Sequence, residues 1–231
     1  GYFAAGSHTV VDIDVCPILT PDVQALLTTL RDDFAAGMVS RSAYEYRGVA
    51  GDVGSVLEPT GATRSRLVIR TVGGHPYRFN ADCFFQANIP VTERLLERVL
   101  EIADVAMDDA GIAVDLYCGV GLFTKPLADR FDRAIGVESD RTSTQFAIEN
   151  TGASDDDSNV RIVTSPVEPW IAEDRSPLGR VSLLVFDPPR AGAGPQVIEG
   201  MLRMNPTHIA AVSCDPATFS RDVRGLIDGG Y

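Results

Sequence analysis

The chain has 231 residues, 45% of them hydrophobic, and a formal net charge of -12. That is enough apolar content to bury a core, but no apolar run reaches the roughly 18 residues of a membrane-spanning helix. The opening Gly1-Tyr2-Phe3-Ala4-Ala5-Gly6 lacks the basic end and apolar stretch of a signal peptide, so a globular cytoplasmic protein with no membrane or inferred protein partner is expected.

Cys16, Cys83, Cys118 and Cys214 lie far apart with no C-x-x-C pair, which argues against a disulfide scaffold and a self-contained zinc site. The first predicted helix runs from Pro21 to Phe34, where Leu26, Leu27 and Leu30 fall at helical spacing after a Thr20-Pro21 start. Gly48 to Phe79 reads as short strands and turns. Within it, Ser65 to Val72 and Tyr77 to Phe79 form a hairpin around Gly73-Gly74-His75-Pro76. Between residues 41 and 80, Arg41, Arg47, Arg64, Arg66, Arg70 and Arg78 outnumber Glu45, Asp52 and Glu58. This stretch is the candidate surface for nucleic-acid phosphates in an otherwise acidic chain; a solvated face with incidental arginines is the plainer reading.

Organisation changes near residue 80, giving a partial α+β region over 1–80 and a second domain over 81–231. From Pro90, the residues Val91, Leu95, Leu96, Val99, Leu100 and Ala103 mark one helical face. Strands are then expected near Ile112 to Leu116, Ala134 to Val137, Val160 to Val163, Val181 to Phe186 and His208 to Val212. Helices fill the gaps, including Pro195 to Met204 and Thr218 to Asp228. This alternation predicts an α/β, Rossmann-like parallel sheet with helices on both faces. Ser154-Asp155-Asp156-Asp157-Ser158 reads as an exposed loop.

Four motifs fall at the carboxyl ends of these strands, where open α/β sheets bind ligands. In Asp115-Leu116-Tyr117-Cys118-Gly119-Val120-Gly121, the glycines let the backbone approach a ligand, and the spacing lacks the third glycine used for dinucleotide pyrophosphate. Glu138 ends the second strand, where a carboxylate accepts both ribose hydroxyls or caps the next helix. Asp187-Pro188-Pro189-Arg190 puts an acid on a stiffened loop, an arrangement that also suits methylation of an exocyclic amine. Cys214 follows the next strand, ahead of a helix N-terminus that favours thiolate, and is either a small buried residue or a nucleophile.

With Phe84-Phe85-Gln86-Ala87-Asn88 and Ser213-Cys214-Asp215-Pro216-Ala217-Thr218, these residues resemble the RNA uracil-5-methyltransferases, in the right order over residues 80 to 231. The resemblance implies a class I methyltransferase fold and S-adenosyl-L-methionine as cofactor. It implies that Gln86, Tyr117, Glu138 and Asp187 contact that cofactor, with Gly119 and Gly121 in the same turn, and that Cys214 is the catalytic nucleophile. The implied reaction is methylation of carbon 5 of a uridine, ribosomal RNA being favoured over transfer RNA. Phe84 or Phe85 is positioned either to stack on an extruded base or to join the core. The family's proton-abstracting base is a glutamate beyond the last helix, so the catalytic region is expected to lack its C-terminal end. Val15-Cys16-Pro17-Ile18-Leu19 resembles the family segment that follows a small RNA-binding barrel. The matching cysteine binds a [4Fe-4S] cluster in some members, but without upstream partners no cluster is assignable and Cys16 reads as a core residue. Two other functions stay open: an amino-group methyltransferase using Asp187-Pro188-Pro189, and a non-catalytic RNA-binding module on a methyltransferase fold.

Overall fold

The computed structural model describes residues 2–39, 45–62, 65–107, 111–153 and 158–231. They fall into two compact units, Gly1–Arg70 with Asn80–Asp82, and Thr71–Phe79 with Cys83–Tyr231. The division therefore runs inside the predicted hairpin, ten residues ahead of residue 80.

The first unit is α+β. β1 (Tyr2–Phe3) pairs antiparallel with β2 (Val10–Val11), α1 spans Pro21–Ala35, and β3 (Tyr46–Ala50) pairs antiparallel with β4 (Ser55–Pro59). Val23, buried on α1, packs at Gly48, where a Cβ would lie 2.9 Å from its Cγ1. Gln24 on α1 accepts from the Cys16 amide at 2.9 Å and donates to the Asp14 carbonyl at 3.0 Å. Cys16 is buried, as expected of a core cysteine, and among the described residues no group of His, Cys, Asp or Glu is arranged to hold a metal.

The hairpin forms as β5 (Val68–Val72) and β6 (His75–Phe79), starting later than expected because the Ser65 hydroxyl and the Arg66 amide turn to the buried carboxylate of Glu58. Of the arginine cluster, Arg41 and Arg64 lie outside the described residues. Each of the other four faces a carboxylate within 4 Å: Arg47 with Glu45, Arg66 with Glu58, Arg70 with Asp52 and Arg78 with Glu149. These pairings favour the plainer reading of that stretch. The acidic loop is likewise outside the described residues up to residue 157.

The second unit runs α2 (Ile89–Ala106), β7 (Ile112–Leu116), α3 (Thr124–Ala128), β8 (Arg133–Glu138), α4 (Arg141–Thr151), β9 (Val160–Thr164) and α5 (Val167–Ala172). It continues with β10 (Val181–Phe186), α6 (Pro195–Met204), β11 (His208–Ala211) and α7 (Pro216–Asp228). The five strands form one parallel sheet in the order β11-β10-β7-β8-β9. Ile112, Val114 and Leu116 of β7 join Leu184 and Phe186 of β10 in a core with α5 and α6, whereas Ala113, Leu183 and Val185 join the core under α2 and α3. Burial on both faces explains why β7 and β10 are almost wholly apolar, Asp115 and Ser182 being the exceptions. The α2 stripe follows the expected face at Leu96, Val99 and Ala103, with Leu95 and Leu100 packed beside them; in the first turn Thr92 is buried and Val91 is exposed, its amide donating to the capping Asn88 side chain at 3.3 Å.

The chain leaves β7 for β8 and β9 on one side, then returns to β10 and β11 on the other. The switch of direction lies between β7 and β10, which is where ligands bind in such sheets. Asn150 on α4 braces this end. Its side chain accepts from the Arg78 amide at 2.7 Å and donates to the carbonyls of Arg78 and Val120 at 3.0 and 2.9 Å. Replacing it with alanine is expected to cost roughly 2–4 kcal/mol, because buried backbone groups lose their partners. Urea unfolding measures this, and a loss below about 0.5 kcal/mol would contradict the bracing role. Among the described residues no helix is long and apolar enough to cross a membrane.

Candidate active site at the carboxyl end of the sheet

Tyr117 follows β7 directly with φ +64, a left-handed conformation that costs a residue with a Cβ roughly 1–2 kcal/mol and that marks functional turns. Its hydroxyl is buried without a hydrogen-bond partner. Gly119 (φ +53) and Gly121 (φ +89) continue the turn. A Cβ on Gly119 would meet nothing within 4 Å, so its backbone borders open space rather than packed protein.

Beneath the turn, Asp115 is 1% exposed and accepts from the Thr124 hydroxyl at 2.6 Å, while its other oxygen is unpartnered. Burial pushes its carboxyl up to about 7, with Thr124 opposing and Asp187 and Glu138 adding to the rise. Glu138 at the end of β8 accepts from the Gly119 amide at 3.2 Å, the Ser139 hydroxyl at 3.1 Å and the Asp140 amide at 2.8 Å. Asp140, not Glu138, caps α4, accepting from the Ser143 amide at 2.7 Å. Glu138 thus fastens the glycine turn to the start of α4.

Asp187 stands one residue past β10, and its amide donates to the Leu116 carbonyl at 3.4 Å. Its carboxylate accepts from the Gln86 side-chain amide at 3.5 Å; burial pushes it up to about 6, against the pull of Gln86. Gln86, Tyr117, Gly119 and Asp187 line one cavity, with Phe84 and Phe85 at its edge. The two phenylalanines differ: Phe85 stacks on Phe79 at 4.5 Å and belongs to the packed interior, whereas Phe84 is 74% exposed. Gly121 does not line this cavity; its Cβ position faces Thr151 and Ala147 of α4.

Cys214 stands three residues past β11, the neighbour of β10, and the Val212 amide extends that ladder to the Phe186 carbonyl at 2.9 Å. Cys16, Cys83 and Cys118 are buried, and burial drives the Cys118 thiol well above its ordinary value. Cys214 is exposed, as a thiol must be to meet a macromolecular substrate. The first-turn amides of α7 are not left for Cys214: Asp215 takes those of Ala217 and Thr218, both at 2.9 Å, and they hold its carboxyl below the ordinary value. Sequence reasoning missed Thr124 and Asn150, whose partners lie 9, 30 and 72 residues away and leave no local signal.

The raised acids have a consequence for stability. Between the ordinary value of 3.8 and the folded values of about 6 and 7, the folded protein holds protons at Asp187 and Asp115 that the unfolded chain has released. Their contribution therefore favours folding at low pH and is lost as pH rises through those values. Asp115→Asn is expected to gain stability on wild type between pH 5 and pH 8, measured by urea unfolding; parallel pH curves for the two proteins would contradict the assignment.

The sheet order, both-face helices and turn after β7 define the fold of S-adenosylmethionine-dependent methyltransferases of the Rossmann-like class. The crystal structure of the Pyrococcus abyssi tRNA (uracil-54, C5)-methyltransferase in complex with S-adenosyl-L-homocysteine shares this fold, with a TM-score of 0.68 at 19% identity, covering 94% of this chain and 64% of that one. A family model described as tRNA (Uracil-5-)-methyltransferase matches residues 66–175. A Streptomyces avermitilis protein named as an uncharacterized RNA methyltransferase is 32% identical over 255 residues, 97% of this chain and 57% of that one. The 23S rRNA (uracil(1939)-C(5))-methyltransferase RlmD of Enterobacter sp. is 28% identical over 264 residues, 100% of this chain and 60% of that one. The chain is thus a relative of the RNA uracil-5-methyltransferase family. It spans little more than half the length of these two curated relatives.

Proposed function

We propose that the protein methylates carbon 5 of a uridine in RNA, with S-adenosyl-L-methionine as methyl donor and Cys214 as nucleophile. The observation that carries this reading is what four adjacent strand ends place along one edge of the sheet: Glu138 at β8, the Tyr117 to Gly121 turn after β7, the Asp187 loop with Gln86 after β10, and exposed Cys214 after β11. The residues fit the cofactor chemically. The Asp187 carboxyl and Gln86 on the cavity wall suit the polar end of such a ligand, Glu138 suits ribose hydroxyls, and the open space over Gly119 leaves room for backbone contacts. When bound, S-adenosylmethionine supplies the methyl group.

Carbon 5 of uracil is a weak nucleophile. The Cys214 thiolate adds to carbon 6, forming a sulfur–carbon bond and placing the displaced electron pair over carbon 5 and the carbonyl, which makes carbon 5 reactive toward a methyl electrophile. Once a base has removed the carbon 5 proton, the sulfur–carbon bond breaks, the ring double bond re-forms and Cys214 is free again. Phe84, exposed at the rim of the cavity, is suited to stack on an extruded base. Homology to a protein named as a 23S rRNA enzyme favours ribosomal over transfer RNA.

Nuclease digestion of RNA after incubation with the protein and S-adenosylmethionine, followed by mass spectrometry of the nucleosides, tests the reaction class. The expected product is 5-methyluridine. A methylated exocyclic amine instead would transfer the role to the Asp187-Pro188-Pro189 loop and leave Cys214 without one. With cofactor binding intact, no product from ribosomal or transfer RNA would contradict the reading.

A further inference from the structure

The loop that carries Asp187 and the helix that follows Cys214 are tied by residues given no role above. Asp222, on the second turn of α7, is 4% exposed. One of its oxygens accepts from the Ala193 amide at 2.7 Å, and the other accepts from Arg221 Nε at 3.0 Å and Nη2 at 2.9 Å. Arg221 Nη2 also donates to the Ala191 carbonyl at 2.8 Å. Consecutive helical residues ordinarily point apart, yet here both side chains converge on one three-residue stretch of loop. Between its two contact points lies Gly192, at φ +82, where a Cβ would stand 2.2 Å from Arg221 Nη2 and 2.5 Å from Asp222 Oδ2. The Gly192 amide donates to the Pro189 carbonyl at 2.7 Å, closing the turn that Pro188-Pro189 begins.

We propose that Asp222 and Arg221 are positioning residues: they clamp the Asp187 loop to α7 and so fix the Asp187 carboxylate relative to the Cys214 thiol. The physical argument is one of rigidity. The loop leaves β10 at Asp187 and is held again at Ala191 and Ala193, while α7 starts directly after Cys214 with its first turn capped by Asp215. A helix is a stiff body, so contacts on its second turn set the loop and the cysteine in one frame. A buried carboxylate is retained only where its charge is matched, and both oxygens of Asp222 are committed to this clamp. The inference rests on the proposed function for its catalytic consequence, but the clamp itself does not.

The test compares wild type, Asp222→Ala, Gly192→Ala and Leu226→Ala, the last removing a buried apolar side chain from the same helix as a control for stability loss. Three quantities are read at a temperature where all four are folded: hydrogen exchange of the 190–194 amides, S-adenosylhomocysteine affinity, and the rate of covalent adduct formation with 5-fluorouridine RNA at saturating cofactor. Asp222→Ala and Gly192→Ala are expected to speed loop exchange about tenfold, weaken affinity about fivefold and slow the adduct about tenfold, while Leu226→Ala stays near wild type in all three. Unchanged loop exchange in Asp222→Ala would overturn the clamp, and a freed loop with wild-type affinity and adduct rate would overturn the positioning role. If Leu226→Ala matches Asp222→Ala, the effect is general destabilisation and the proposal fails. A wild type that forms no adduct at all sinks the proposed function instead, and exchange with affinity then decide the clamp.

Discussion

Cys214→Ala is expected to lower methyl transfer to RNA by on the order of 10⁴-fold or more, with S-adenosylhomocysteine affinity within about twofold of wild type. The size follows from the chemistry: without addition at carbon 6, carbon 5 does not become a sufficient nucleophile, and no other described thiol is exposed to substitute. Cys118 lies within the Tyr117–Gly121 turn and lines its cavity, but burial drives its thiol well above its ordinary value. The unchanged affinity follows from position, since Cys214 lies past β11 and outside the residues that line the Tyr117–Asp187 cavity. Rates of methyl incorporation and calorimetry on the same two proteins check both halves. Retained methylation in the alanine variant would remove the nucleophile role and point to an amine acceptor.

Glu138→Ala is the second large effect. Its carboxylate accepts the Gly119, Ser139 and Asp140 donors, and under the proposed function it has a second task, offering its remaining lone pairs to a ribose. Charge-assisted hydrogen bonds to a cofactor are worth roughly 1.5–3 kcal/mol each, so affinity for S-adenosylhomocysteine is expected to fall about 10- to 100-fold by calorimetry. Glu138→Gln separates the tasks, because a glutamine keeps an acceptor for the turn but can no longer accept with both oxygens. It is expected to fall between wild type and alanine. Wild-type affinity in Glu138→Ala would show that the carboxylate serves the turn alone.

The parts of this account that were legible in the sequence are those written in short-range pattern. β7 and β10 begin and end at the expected residues, since both faces of each strand are buried and nearly every position is apolar. The α7 start was expected at Thr218 but falls at Pro216, because Asp215 caps and a first-turn proline needs no amide donor. β1 and β2 went unread: two strands of two residues are too short to show a period. The motifs at the strand ends were readable because a parallel sheet gathers the residue after each strand at one edge. What pins those motifs was not. Asp222 meets Ala193 across 29 positions and Asn150 meets Arg78 across 72, and such pairs exist only once the sheet has formed. The arginine stretch shows the converse, where composition suggested a charged face and the fold supplied each described arginine with an acid.

The most direct test of the central claim is peptide mapping by mass spectrometry after incubating the protein with S-adenosylmethionine and RNA substituted with 5-fluorouridine, whose carbon 5 carries fluorine in place of the removable proton and so traps the adduct. A covalent nucleotide on the peptide containing Cys214, absent from Cys214→Ala, is the predicted result. An adduct on another cysteine, or none while S-adenosylhomocysteine binding is intact, would contradict it.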